Sequence, residues 1–520
     1  MNDTVACVQD GTEAVSNQAE IGRLLVRGGG ECFEVDWDGG AKVTPMGSVV
    51  FFAQYLKTGG LLDRLCEAPP LAYGSNNAPK ARDVLGTLVL SVLDGQTRYA
   101  HINSLRADRV GAEALGMSRV VSEDSVRRAL KRGTPEAWDA WLAEQERAVW
   151  EPLLAEPYVL DIDSTVKPLY GGQEGAELGY NPKKPGRPSH NYHTFFIGAL
   201  RIVLGVEVHP GKEHSGGCGM PGLWALLDSL PPQSRPRLIR GDVSYGSEQI
   251  MAQAERRAQP YLFKLRRSAK VKSRFRELTA PGEGWKDAGD GWQASECRLT
   301  LGGWTAERRC VFLRRPAARP PARAGLPRPA EPEFDFVAGI GDVPDWEYVV
   351  LVTNDETLDA VALSQAYRDR ADCENVFDEI KNQWGWAGFV TRDLRRCRII
   401  ARLIALVYNW WNVFTRLAQP ESHMEAVTSR PLLLHAVGRL VSTGRRKIIR
   451  LTSTHALSGR IRLTLDRIGA FLNRLARTAE QLSVEAVWAV ILSVAFVKWL
   501  RGKVLQPVSQ GGQMLLQLAK

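Results

Sequence analysis

Tyr158-Val-Leu-Asp-Ile-Asp163 constrains this chain more than any other stretch. Its alternation predicts a β-strand with Tyr158, Leu160 and Ile162 on one face and Val159, Asp161 and Asp163 on the other. Carboxylates on a buried strand are costly unless they are paired or bound to a metal. A second strand, Arg237-Leu-Ile-Arg-Gly-Asp242, also ends in a carboxylate. It passes through the turn Val243-Ser-Tyr-Gly246 into a helix over 247–259. Ligands gather at the carboxyl ends of strands in α/β sheets, which makes Asp242 a candidate ligand.

A third feature lies far downstream. Residues 367–381 read YRDRADCENVFDEIK, spaced Tyr367-x2-Arg370-x3-Glu374-x6-Lys381. Good helix formers without Gly or Pro predict one helix here. At about 100° per residue, Tyr367, Arg370, Glu374 and Lys381 share about 60° of arc. Val376 lies roughly opposite, with Ile380 and Cys373 nearer the side, as a face to bury. A carboxylate can hold a divalent metal, and Arg and Lys can hold phosphates. Alone, such a face is ordinary for a solvated helix with i,i+4 pairs. The two aspartates upstream change that reading.

The Y-R-E-K spacing resembles the signature of DDE transposases of bacterial insertion sequences. Lys381-Asn-Gln-Trp-Gly-Trp386 and Tyr408-Asn-Trp-Trp411 resemble the branch called type thirteen-eighty. The resemblance implies an α/β catalytic core that is RNase H-like, of the retroviral integrase superfamily. It also implies a β-rich insertion in that core and mostly α-helical N- and C-terminal regions. Asp163, Asp242 and Glu374 would be the catalytic metal ligands, because Asp163-Ser-Thr165 matches the family's first-aspartate motif. Asp161 is the alternative ligand, or a supporting group on the same face. The family usually has Gly where this chain has Ser244, which leaves the backbone at that turn open. Two Mg²⁺ or Mn²⁺ ions would serve in-line displacement at phosphorus, with Asp163 bridging them. Tyr367, Arg370 and Lys381 would position phosphates. The implied reaction is nicking at a transposon end, then attack of the freed 3′-hydroxyl on the other strand or on target DNA. The implied partners are double-stranded DNA, as terminal inverted repeats and target, and a second copy in a synaptic homodimer. A two-metal nuclease without strand transfer would use the same ligands. A non-catalytic DNA-binding regulator is opposed by retention of the three carboxylates and of the Y-R-E-K residues.

Texture divides the chain into a flexible N-terminus (1–45), a helical DNA-binding region (46–150) and a first catalytic segment (151–265). A β-rich insertion (266–345), a second catalytic segment (346–415) and a helical C-terminal region (416–520) follow. Ser122 can cap a helix carrying Arg127 and Arg128. That helix reads either as the second half of a helix-turn-helix or as a basic surface helix. The Gly/Pro-rich loop 171–190 carries Lys183, Lys184 and Arg187, either along a phosphate backbone or in solvent. Residues 194–204 and 206–210 read as the second and third strands, and 261–265 as the fifth. Within 266–345, strands over 292–301 and 307–313 precede a flexible loop over 314–332. Trp285, Trp292 and Trp304 lie there; each suits core packing, and one could stack on a flipped base. The sheet resumes at 346–353. The basic run 445–450 belongs to the helical tail.

Composition narrows the partners. The 520 residues carry a net charge of +9, in keeping with a nucleic-acid partner. The 8 cysteines are scattered without a C-x-x-C, so neither a disulfide framework nor a zinc knuckle is expected. This fits a reducing bacterial cytoplasm, with the protein nucleoid-associated. There is no H-E-x-x-H, and His101 and His435 read as structural or surface groups. The N-terminus lacks the pattern of a signal peptide. The apolar run 486–497 is too short for a bilayer span of about 20 residues and predicts a buried helix. No membrane partner is expected.

Overall fold

The computed structural model describes residues 24–28, 31–75, 77–182, 184–213, 216–280, 284–317, 346–452, 457–478 and 482–506, without the side chains of Leu24, Arg27, Glu31, Asp372, Cys373 and Glu374. Two compact units result, residues 1–42 and 43–520. In the first, Leu24–Gly28 pairs antiparallel with Glu31–Val35, where texture alone had suggested a flexible segment.

The second unit is built on a nine-stranded sheet. Its strands are β1 (Val159–Pro168), β2 (Ser189–Ile197), β3 (Ile202–Pro210), β4 (Leu238–Gly241) and β5 (Tyr261–Lys264). They continue with β6 (Lys286–Asp287), β7 (Gln293–Leu299), β8 (Arg308–Pro316) and β9 (Trp346–Thr353). The spatial order is β3-β2-β1-β4-β5-β9-β8-β7-β6. β1, β2 and β3 form an antiparallel meander. β4 then runs parallel to β1, and β5 parallel to β4. Parallel neighbours need crossovers, which the helices Gly216–Asp228 and Glu248–Arg256 supply. All nine residues of β2 are buried, as expected of a strand covered on both faces. β6, β7 and β8 pair antiparallel onto β9, so the strands of the region 266–345 continue this same sheet. Of the loop read over 314–332, Arg314–Pro316 close β8, and 318–332 lie outside the described residues.

Three helices follow β9: α1 (Ala360–Arg368), α2 (Ala371–Gln383) and α3 (Leu394–Ala418). The single helix expected over 367–381 is therefore two helices, broken at Asp369–Arg370. The buried helix α3 is fastened to the β2–β3 corner by two amides of its Tyr408-Asn-Trp-Trp-Asn412 run. Asn409 bonds both the amide and the carbonyl of Val203 at 2.9 and 2.7 Å. Asn412 donates to the Leu200 carbonyl at 2.8 Å, next to Arg201, whose φ is +53°. Backbone groups at such a buried corner need partners, and the amides provide them.

The regions before and after the catalytic segments share one core. Phe52 meets Trp411 and Phe414, each with ring centroids 5.3 Å apart, and Tyr55 meets Trp488 at 6.0 Å. Trp488 belongs to the buried helix Val484–Ala495, which covers most of the apolar run 486–497. Among the described residues no helix is long and apolar enough to cross a membrane. The basic run 445–450 is not helical. Gly438–Thr443 and Arg446–Leu451 form a hairpin joined by Val43–Thr44. Its apolar residues come as adjacent pairs, Leu440-Val441 facing Ile448-Ile449 across the ladder, and Gly444 turns it at φ +59°.

Candidate active site

The site grows where the parallel pairing of β1 with β4 ends, midway along β1. Their parallel register pairs Ile162 with Gly241, so the next residues, Asp163 and Asp242, emerge side by side. Asp242 is held in the turn by Ser244, whose amide donates to its carboxylate at 2.9 Å. Ser244 is not among the residues of positive φ, so glycine is not required there. The tight positions are Gly241 and Gly246. A Cβ on Gly246 would lie 2.5 Å from the Lys264 carbonyl, and one on Gly241 would lie 2.8 Å from the Tyr245 ring. Tyr245 is buried beneath the turn. Burial pushes its hydroxyl well above the usual range, and the charges of Asp163 and Asp242 push it further. Arg370 acts in the opposite direction, so all three charged groups stand within reach of one hydroxyl.

Asp161, two residues before Asp163, is not a second candidate ligand. It is fully buried and forked by Arg240, with both nitrogen–oxygen distances 2.8 Å. The Gly198 amide also donates to its Oδ2 at 3.3 Å. Arg240 also donates to the carbonyl of Ala366 near the end of α1. That carbonyl would otherwise accept from the amide of Arg370. The Arg370 amide instead bonds Tyr367 O at 3.1 Å, a tighter turn. This competing donor accounts for the break between α1 and α2.

The break aims Arg370 at the strand end. Its Nη2 lies 2.5 Å from Asp163 Oδ2, with both side chains largely buried. The i,i+4 geometry had suggested Glu374 as the partner. Glu374 lies within α2, and its side chain falls outside the described residues. Among the described residues no three His, Cys, Asp or Glu side chains form a metal-sized group. Lys381, at the far end of α2, donates to Thr165 Oγ1 at 3.0 Å and to the Val166 carbonyl at 3.2 Å. Arg370 and Lys381 thus bind α2 along β1. Tyr367 sits on α1 instead, packed at the margin of the smaller core cluster.

The outlying basic candidates are less gathered. Lys184 and Arg187 both pack on the ring of exposed Tyr170, at 5.0 and 4.7 Å from its centroid. Lys183 lies outside the described residues. Ser122 caps Glu123–Ala129 as expected, accepting from the Ser125 amide at 3.3 Å. Arg127 on that helix bonds Asp124 at 2.9 Å, and Arg128 lies 3.8 Å from the same carboxylate. The stretch 115–122 between it and Arg109–Ala114 exceeds the three- to four-residue turn of a helix-turn-helix. Trp285, Trp292 and Trp304 each carry an arginine on one face: Arg314 at 3.9 Å, Arg315 at 4.7 Å and Arg308 at 5.1 Å.

Sequence reasoning missed Arg240 and Lys167. Arg240 stands two residues before Asp242 on a short apolar strand, and an unexplained charge there was the available signal. Lys167 is buried on β1, donating to Tyr192 Oη at 3.3 Å and to the Gly388 carbonyl. Burial pulls its ammonium down to about 8.

Comparison with known proteins adds the family. Among solved structures, a similar chain is that of the piggyBac transposase synaptic complex with hairpin DNA, at 10% identity and a TM-score of 0.34. The likeness covers 92% of this chain and 85% of that one, and at that level it carries no argument. No curated protein sequence matches. The family profile described as "Transposase DDE domain group 1" matches residues 29–472. The match takes in well over half of the chain, and the protein belongs to that family of DDE-domain transposases.

Proposed function

We propose that this transposase cleaves DNA at the ends of a bacterial insertion sequence and joins the freed 3′ end to target DNA. Asp163, Asp242 and Glu374 would hold two Mg²⁺ or Mn²⁺ ions in an RNase H-like core. One observation carries the reading. Asp163 and Asp242 directly follow Ile162–Gly241, the last pair of the parallel β1–β4 ladder, and Arg370 ties the helix that bears Glu374 to Asp163. The guanidinium on Asp163 marks a place that favours a cation, and oxygen donors suit a hard divalent ion. Such ions, when bound, supply activation of the attacking oxygen and stabilisation of the leaving one. The strand order β3-β2-β1-β4-β5 supports the RNase H-like reading.

The chain's own groups have distinct tasks in this scheme. Asp161 and Arg240 keep β1, β4 and the α1–α2 break in place. Ser244 holds Asp242 at the turn. Arg370 neutralises Asp163 and, once released from it, grips a phosphate oxygen near the scissile bond, with Lys381 and Tyr367 along the same strand of DNA. Lys183, Lys184, Arg187, Arg127 and Arg128 add to the wider basic surface that captures ends and target. Two copies act together in a synaptic complex, in a bacterial cytoplasm and close to the nucleoid.

The test uses Asp163→Asn, Asp242→Asn and Glu374→Gln. Each is expected to abolish Mg²⁺-dependent cleavage of a terminal-repeat duplex while folding and end binding persist. Near wild-type cleavage by any of them removes that residue from the ligand set. Strand transfer from pre-cut ends separates a transposase from a nuclease that only cuts.

A further inference from the structure

We infer that the cleft between the N-terminal helices and the outer half of β1 is a track for an unpaired DNA strand leaving the cleavage point. This rests on the proposed DNA-cleaving function and adds a site to it. The cleft has a volume of about 760 Å³. One wall is Thr97–Ala100 with Arg127, the second is Pro168–Gly171 after β1, and the third is Ala387–Val390 after α2. Through Arg127 and Gln173 it continues into a second depression lined by Arg392 and Arg396.

Charge selects an anion. Arg98, Arg127 and Lys381 line the cleft with one acid, Glu123; Arg127 is shared between Glu123 at 3.5 Å and Asp124 at 2.9 Å, which leaves Arg98 and Lys381 as the excess charge. Lys381 also reaches Thr165 and Val166 on β1, just past Asp163, so the cleft begins beside the candidate active site. Size selects a single strand. This volume is in the range of a drug-sized ligand, the scale of a nucleotide or two and far below a duplex. Tyr170, 65% exposed at the rim, offers a ring on which a base can stack. Lys184 and Arg187 pack on that ring, so an incoming base displaces one of them from the ring face and leaves its charge beside the flanking phosphates.

The cleft is built in advance. The Phe389 amide bonds the Thr97 carbonyl at 2.5 Å, and a Cβ on Gly388 would lie only 2.0 Å from that oxygen. Lys167 donates to the Gly388 carbonyl from below. The first and third walls are therefore joined at the floor, and binding need not order them.

The experiment measures anisotropy of two labelled terminal-repeat duplexes in EDTA, one blunt and one with a four-nucleotide unpaired flank. The full-length chain is expected to prefer the flanked DNA about fivefold or more. Tyr170→Ala should abolish that preference and Tyr170→Phe retain it. Arg98→Ala should lower the salt slope on flanked DNA by about 0.7, one single-strand phosphate contact. In the unaltered protein, 5-iodouracil at the first unpaired position should crosslink to the segment 168–173 or 97–100. Equal affinity for both duplexes, a preference indifferent to Tyr170→Ala, or a crosslink elsewhere overturns the inference. If blunt ends are bound in EDTA and cut normally in a parallel reaction with Mg²⁺, only the cleft assignment has failed. If neither duplex is bound, the proposed function fails with it.

Discussion

Two aspartates of β1, with one residue between them, are held in different ways. Asp161 is fully buried and held by both nitrogens of the Arg240 fork. Asp163 keeps 16% of its side chain exposed, and a single nitrogen of Arg370 meets its Oδ2. A desolvated fork is hard to open, because either partner left alone is a buried, unpaired charge. A pair at the rim can exchange, because water or an ion can replace the lost partner. The lesson is that burial, not residue type, separates a carboxylate that builds the sheet from one that can do chemistry. Four residues beyond Asp163, Lys167 repeats the contrast with a positive charge, buried without a carboxylate among its hydrogen-bond partners.

Exchanging the two aspartates should break the comparison most visibly. Asp161→Asn is predicted to cost about 3–5 kcal/mol of stability by stranding Arg240, with cleavage per folded molecule largely kept. Asp163→Asn should do the reverse. Chemical denaturation and a cleavage assay on the same preparations decide it. An Asp161→Asn protein as stable as the parent would dissolve the distinction.

Lys167 sharpens the point through pH. Folded, it gives up its proton near 8, whereas the unfolded side chain holds it to about 10.5. Between those values the unfolded chain binds more protons, so folding gains stability as pH rises. Lys167→Met lacks this gain. The parent should therefore strengthen relative to Lys167→Met by up to about 3 kcal/mol between pH 8 and 10.5. A difference in stability that stays flat over that window refutes the buried cation.

The smallest effect concerns the exchangeable pair. Arg370→Ala is predicted to slow cleavage about tenfold while initial end binding changes little, since many phosphate contacts share capture. Arg370→Lys should recover part of the rate, keeping the charge without the fork. A variant that melts early but cleaves normally per folded molecule would make Arg370 a purely structural partner of Asp163.

Much of this was legible in the chain. The strands that carry Asp163 and lead into Asp242, the cap at Ser122 and the buried helix of the late apolar run follow from local alternation, capping and periodicity, although the first strand runs past Asp163 to Pro168. The break between α1 and α2 did not, because no Gly or Pro marks it. A distant arginine takes the Ala366 carbonyl. The hairpin at 438–451 was hidden for a related reason. Its charges resembled those of the neighbouring helices, and it is completed by Val43–Thr44 from the far end of the chain.

The sequence by itself determined which residues are chemically able to act: three carboxylates in D, D, E order and the cations near the last of them. These are properties of residue type and spacing. Only the tertiary structure decided how Asp161 and Asp163 are each held. That depends on the β1–β4 register, on Arg240 reaching Asp161 from the neighbouring strand, and on Arg370 meeting Asp163 across a gap in sequence. Partner choice and burial of this kind are set by non-local packing, which no window of local sequence contains.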